Sequence, residues 1–225
     1  MKHYSIAIDG PAGAGKSTIA KKIARELNFI YVDTGAMYRT MALYFIRNNI
    51  EASDKEKIRK SCDLVEISIE YINGEQQIFL NGENVSHLIR TEEVGNMASA
   101  VSVYQDVRLK LVELQRNMAK KADVVMDGRD IGTFVLPDAD LKIYLTASTK
   151  ERARRRFIEL KEKGITADID IIEKDIIERD YRDMNREFAP LRQAEDAIVV
   201  DTTNMAIEEV ADSIIRYFKE KINNQ

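Results

Sequence analysis

The 225-residue chain holds one cysteine, Cys62, two histidines, and no apolar run near the ~18 residues that a membrane span requires. A single cysteine excludes an internal disulfide and a thiolate metal cluster, and with no signal-peptide pattern at the start it points to a reducing cytoplasm. The ordinary role of such a thiol is small apolar filler. A broad excess of positive charge is also missing. The 34 Lys and Arg against 38 Asp and Glu leave a net charge of −4, so affinity for nucleic acid would need a local basic patch. The most arginine-rich stretch, 150–192, carries twelve basic and eleven acidic residues, so it forms no net basic stripe. Neither D-x-x-G nor N-K-x-D occurs, which removes the parts by which a switch GTPase senses its nucleotide. What remains, 44% hydrophobic and 32% charged residues, suits one globular α/β domain of ordinary size with a subdomain inserted.

One segment carries unusual information. Gly10-Pro11-Ala12-Gly13-Ala14-Gly15-Lys16-Ser17 fits G-x-x-x-x-G-K-[ST] without deviation, and Thr18 follows it. Glycines let the backbone curl so that successive N–H groups point at a phosphate, while the helix opening at about Lys16 presents its positive end to the same anion. Lys16 then reaches the β/γ oxygens, and the Ser17 hydroxyl suits Mg²⁺. An apolar strand at 4–9 and a helix at 17–27 provide the flanks that the motif needs.

Five short apolar runs, at 4–9, 29–33, 123–127, 141–145 and 197–201, recur between helical stretches. Runs such as Val124-Val125-Met126 lack alternation, which marks strands buried on both faces, as in a parallel sheet covered by helices. The reading is therefore α/β: a P-loop NTPase fold with five parallel strands, ligands gathering at their carboxyl ends. Between the second and third runs the pattern changes. From Leu64 to about Val85 apolar and polar residues alternate, and Asn-Gly pairs at 73–74 and 81–82 accept the positive φ of tight hairpin turns. A small antiparallel meander over 62–90 is predicted, within an otherwise single domain.

Other polar groups follow strands or cluster on helices. Thr34 reads as the N-cap of the helix after Asp33, with Arg39 one turn in, either holding a second phosphate or lying as a surface arginine. Asp127, at the end of the neighbouring strand, suits a carboxylate that holds Mg²⁺, often through water. Arg129 and Asp130 project a forked donor and an acceptor beyond it. Arg152, Arg155 and Arg156 share one helical face, which is either a solvated surface or a mobile lid over 150–170 that screens a transferring phosphoryl group. Arg179, Arg182, Asp183 and Arg186 are likewise spaced along one face, with Asp183 and Arg186 available to a polar ligand.

Taken together, these motifs resemble the bacterial cytidylate kinases over nearly the whole chain. The resemblance rests on the phosphate loop, Asp33-Thr34-Gly35-Ala36-Met37-Tyr38-Arg39, Ala98-Ser99 with Val107-Arg108, Asp127-Gly128-Arg129-Asp130-Ile131-Gly132-Thr133, and Glu178-Arg179-Asp180 through Asn185-Arg186-Glu187-Phe188-Ala189-Pro190-Leu191. It implies transfer of the γ-phosphoryl of ATP, with Mg²⁺, to CMP or dCMP, by an enzyme with an acceptor-binding region over 34–110 and a helical lid; a monomer is expected separately, since no long apolar helix face lacks a partner in the core. It further implies Ser99, Arg108 and Asp130 at cytosine, Arg39 and Arg129 at the acceptor phosphate, Arg179 and Asp183 at the sugar, Arg186 near the acceptor, and Thr34 among the acceptor-binding residues. Lys16, Arg129 and the arginines at 152, 155 and 156 become the catalytic cations. Neither His3 nor His87 is needed. A different small-molecule P-loop kinase, for dTMP, shikimate or a sugar acid, is the competing assignment.

Overall fold

The computed structural model describes residues 2–72 and 75–223. Its elements run β1 (Ser5–Asp9), α1 (Lys16–Leu27), β2 (Ile30–Asp33), α2 (Thr34–Arg47), α3 (Lys55–Cys62), β3 (Ile67–Ile72), β4 (Glu75–Leu80), β5 (Glu83–Asn84), α4 (Glu92–Val101), α5 (Gln105–Ala119), β6 (Val124–Gly128), β7 (Leu141–Thr146), α6 (Thr149–Glu162), α7 (Ile169–Asn185), β8 (Ile198–Asp201) and α8 (Ile207–Asn223). All five predicted core strands are present, in one parallel sheet of order β2-β6-β1-β7-β8. The chain divides into two compact units, Met1–Tyr31 with Ala119–Gln225, and Val32–Met118, the division falling inside β2. No helix among the described residues is long and apolar enough to cross a membrane.

In the first unit, Val124, Val125 and Met126 are fully buried, as strands covered on both faces must be. Ile6, Ile8, Ile143 and Leu145 join Ile19 and Ile23 of α1 and Ile214 and Phe218 of α8 in one apolar cluster. Tyr4 and Phe29 each meet the Phe218 ring edge-on, with centroids 5.7 and 5.5 Å away. The register sets Ile8 beside Asp127 and Asp9 beside Gly128, so the polar strand ends come together. Helices α6 and α7 pack as a hairpin over Ala153, Ile172 and Ile176. Gly164, at φ 72°, ends α6, and the Asp168 carboxylate caps α7 by accepting the Asp170 and Ile171 N–H groups.

The second unit contains the predicted meander, β3-β4-β5, all antiparallel. Asn81 and Gly82, at φ 49° and 84°, form the two-residue turn between Leu80 and Glu83. The Asn73-Gly74 pair lies outside the described residues. Strand β3 begins at Ile67 rather than Leu64, because the Leu64 N–H bonds back to the Ser61 carbonyl in a turn after α3, leaving the Leu64 side chain exposed. A second correction concerns α2: its N-cap is Asp33, whose Oδ1 accepts the Ala36 N–H at 2.8 Å, and Thr34 is the first helical residue. Cys62 is buried and donates to the Ile58 carbonyl, as filler does; burial pushes its thiol up to about 11.

Candidate active site

The phosphate loop leaves β1 and enters α1 at Lys16, with Gly15 as N-cap. A Cβ at Gly10 would lie 1.9 Å from the Leu145 carbonyl oxygen, so only glycine lets the loop start this close to β7. Lys16 is buried and donates from Nζ to the Pro11 carbonyl at 2.6 Å. Burial, followed by the Arg129 cation, holds its ammonium well below the ordinary lysine value. A bound phosphate chain would reverse that electrostatic setting.

Next to the lysine, Ser17 donates from Oγ to Asp127 Oδ2 at 2.9 Å, and the Tyr31 hydroxyl donates to Oδ1 at 2.9 Å. A serine hydroxyl beside a buried carboxylate is a hard-oxygen pair of the kind Mg²⁺ takes while keeping most of its waters. Among the described residues there is no group of three or more His, Cys, Asp or Glu that could hold a metal ion.

Beyond β6, the charged groups are held in a network. Arg129 donates from Nε to Asp183 Oδ2 at 2.9 Å; Arg186 lies 3.7 Å from Asp183 and 3.5 Å from Asp130, and donates to the Ala189 carbonyl. Burial pushes the Asp183 carboxyl up, but Arg129, Arg179 and Arg186 outweigh it and leave it below the usual carboxylate range. Helix spacing alone left Asp183 and Arg186 available to a polar ligand; the structure engages both with protein neighbours. Arg186 is also the C-cap of α7, with extended backbone, rather than a residue of its face. Arg179 is exposed on that helix.

Arg152, Arg155 and Arg156 of α6 have separate fates. Arg152 is buried, bonded to the Ala12 and Ala147 carbonyls at 2.7 and 3.0 Å and to Asp180 at 2.5 Å. Arg155 donates to Glu151 at 2.9 Å and to the Thr202 carbonyl at 2.7 Å. Arg156 is exposed and pairs with Glu159. Thus they do not converge on one point.

In the second unit, Arg39 pairs with Asp33 at 3.2 Å and is partly buried, so it is no ordinary surface arginine. Arg108 is 1% exposed, donates to the Ser102 carbonyl at 3.0 Å, and stacks its guanidinium 5.5 Å from the Tyr38 ring centre. Ser99 is half-buried on α4, and Thr34 is buried.

Three residues escaped the sequence reading. Asp180 accepts the Ala12 N–H of the phosphate loop at 2.9 Å, and Tyr31 orients Asp127. Asp9 accepts the Ile131 and Gly132 N–H groups at 2.8 and 2.7 Å, fixing the loop that carries Arg129 and Asp130; burial pushes its carboxyl up to about 7. Asp9 leaves a signal as an acidic residue closing an apolar run and Asp180 one within the Glu178-Arg179-Asp180 motif, whereas Tyr31 leaves none.

A cytidylate kinase family model matches residues 6–220. A cytidylate kinase of Caldicellulosiruptor saccharolyticus is 52% identical over 225 residues, covering all of both chains. Among solved structures, an uncharacterized protein from Eubacterium ventriosum matches with a TM-score of 0.55 at 15% identity, covering 96% of this chain and 99% of the other. A gluconokinase from Sinorhizobium meliloti matches with a TM-score of 0.53 at 12% identity, over 100% and 96%. At such identities the structural likenesses speak to the fold alone, whereas the family match spans nearly every residue that builds the two units. The chain belongs to the cytidylate kinase family.

Proposed function

We propose that the chain transfers the γ-phosphoryl of ATP to CMP or dCMP, giving ADP and CDP or dCDP. The observation that carries this reading is the phosphate loop with Lys16 and the Ser17–Asp127 pair at the ends of β1 and β6, in a chain of this family. No general base is required, because an oxygen of the CMP phosphate is ionised near pH 7 and needs only alignment and charge neutralisation. Lys16 binds the β/γ oxygens, and the loop from Gly10 to Thr18, through its N–H groups from Gly13 onward and the start of α1, holds the rest of the chain of phosphates. Ser17 and Asp127 would hold Mg²⁺, often through water, and the ion would neutralise charge on the phosphates.

For the acceptor, Ser99, Arg108 and Asp130 read cytosine, Arg39 and Arg129 take its phosphate, and Thr34, Arg179, Asp183 and Arg186 complete the binding set. Cytosine offers an amine donor beside two acceptors, N3 and O2, so a forked arginine and a carboxylate suit it, whereas UMP presents like groups to like. Arg155 and Arg156 belong to a lid over 150–170. The chain works on nucleotides as a monomer in the cytoplasm; its single buried thiol supports a reducing compartment, and its net charge of −4 supports nucleotides over nucleic acid as ligands.

ADP production with CMP, dCMP, UMP, dTMP and AMP offered in turn tests the assignment. CMP and dCMP are expected to serve, with kcat/KM for UMP lower by about 10⁴, since a mismatched edge leaves buried polar groups unsatisfied. Equal use of UMP overturns the cytosine pocket, and activity on none of the five overturns the function. Sedimentation of the purified chain tests the monomer.

A further inference from the structure

An aspartate beside a loop that binds polyanions is electrostatically out of place, and Asp180 is 7% exposed with its Oδ1 2.9 Å from the Ala12 nitrogen. The same carboxylate accepts from Arg152 Nη1 at 2.5 Å through its other oxygen, and that guanidinium, 6% exposed, also donates to the Ala12 carbonyl at 2.7 Å. Further bonds from Arg152 to the Ala147 carbonyl and the Thr149 hydroxyl, at 3.0 and 3.1 Å, fix the guanidinium in place. The pair thus neutralises itself and grips one residue of the phosphate loop on both sides.

Peptide planarity turns this grip into an orientation. In a trans peptide the N–H and C=O point in opposite directions. With the Ala12 N–H turned to Asp180, the Pro11 carbonyl of the same plane faces the other way, where Lys16 Nζ meets it at 2.6 Å. With the Ala12 carbonyl turned to Arg152, the Gly13 N–H of the next plane points away from Arg152. Two consecutive planes are thereby set by side chains of α6 and α7, more than 130 residues away in sequence.

We propose that Asp180 and Arg152 are positioning residues of the phosphate loop: they aim the Gly13 N–H at the nucleotide phosphates and hold the Pro11 carbonyl where Lys16 meets it. Arg152 is on this account a strut rather than a cation that screens the transferring group. The proposal rests on the reading of the loop as a nucleotide-phosphate site and is independent of which acceptor is phosphorylated.

The sign of one effect separates positioning from simple charge. Removing an acidic group near the phosphate loop should tighten binding of anionic ATP if only Coulomb forces count, and should weaken it if orientation is lost. Asp180→Ala is expected to weaken ATP binding at least about tenfold by calorimetry, to speed hydrogen exchange at the Ala12 amide, and to be partly rescued in Asp180→Asn, which keeps an acceptor. A folded Asp180→Ala protein that binds ATP as well as or better than the parent overturns the proposal. Should Asp180→Ala fail to fold because Arg152 has lost its carboxylate, the double variant Asp180→Leu with Arg152→Met removes both charges, and apolar replacement of a buried pair is commonly tolerated. Weaker ATP binding together with faster Ala12 exchange in that variant supports the proposal; parental values for either overturn it. The parent's activity on CMP is read separately, so a failure there leaves the Asp180 result standing.

Discussion

The two compact units hold their functional side chains by different means. In the unit of residues 1–31 and 119–225, partners come from far along the chain: Ser17 with Asp127 at 110 residues, Ala12 with Asp180 at 168, Asp9 with Ile131 at 122. In the unit of residues 32–118, the hydrogen bonds and ion pairs of the two arginines are near in sequence, Arg39 with Asp33 and Arg108 with the Ser102 carbonyl, each six residues apart, while the Tyr38 ring packs against Arg108 from farther along the chain. The phosphate-loop unit is thus preorganised by tertiary contacts that bury charge, and should respond to substitution as a network. The arginines of the other unit take their ion pair and hydrogen bond from within about two helical turns and should respond more locally.

The largest expected effect lies at Lys16. Lys16→Ala should remain folded, since it frees a buried cation, yet lose turnover by about 10³ or more, because the lysine stabilises charge that develops in the transition state. Near-normal activity in a folded variant would remove the phosphate loop from the chemistry. Asp183→Ala comes next: it deletes the carboxylate that Arg129 and Arg186 share, at a cost of about 3–5 kcal/mol in urea unfolding, with a raised KM for CMP. Parental stability would show that this network is not a network.

Asp33→Ala sharpens the contrast from the other side. It removes the N-cap of α2 and the partner of Arg39, so a loss of about 1 kcal/mol is expected, with KM changed for CMP and unchanged for ATP. A loss as large as that of Asp183→Ala would erase the distinction between the two units. The smallest effect belongs to the exposed pairs of α6. The bond from Arg154, then that from Arg155, holds the Glu151 carboxyl at about 2 against an ordinary value of 4.5. A lowered folded-state value means that its contribution is present above pH 4.5 and fades as pH falls toward 2. Glu151→Gln should flatten that part of the stability profile, and an unchanged profile would show the pairs to be energetically silent.

Features that depend on a short stretch of chain are legible in the sequence. The loop at 10–17 declares itself by spacing, the covered strands by unbroken apolar runs, and the Asn81-Gly82 turn by its tolerance of positive φ. The cap of α2 is ambiguous locally, because Thr34 and Asp33 are both good caps and only the backbone path decides between them. Arg152, Arg155 and Arg156 were grouped by helical spacing, which reports direction around an axis and says nothing about what each side chain meets.

The sequence alone determined the fold class, the phosphate loop and the acidic and basic strand ends, since periodicity and glycine placement act within a few residues. Only the tertiary structure decided that Asp180 and Arg152 clamp Ala12, that Tyr31 and Ser17 share Asp127, and that Asp183 is engaged by Arg129. Those pairings join residues 28 to 168 positions apart, and their geometry exists only once the sheet and the helix hairpin have packed, a register that no local pattern encodes.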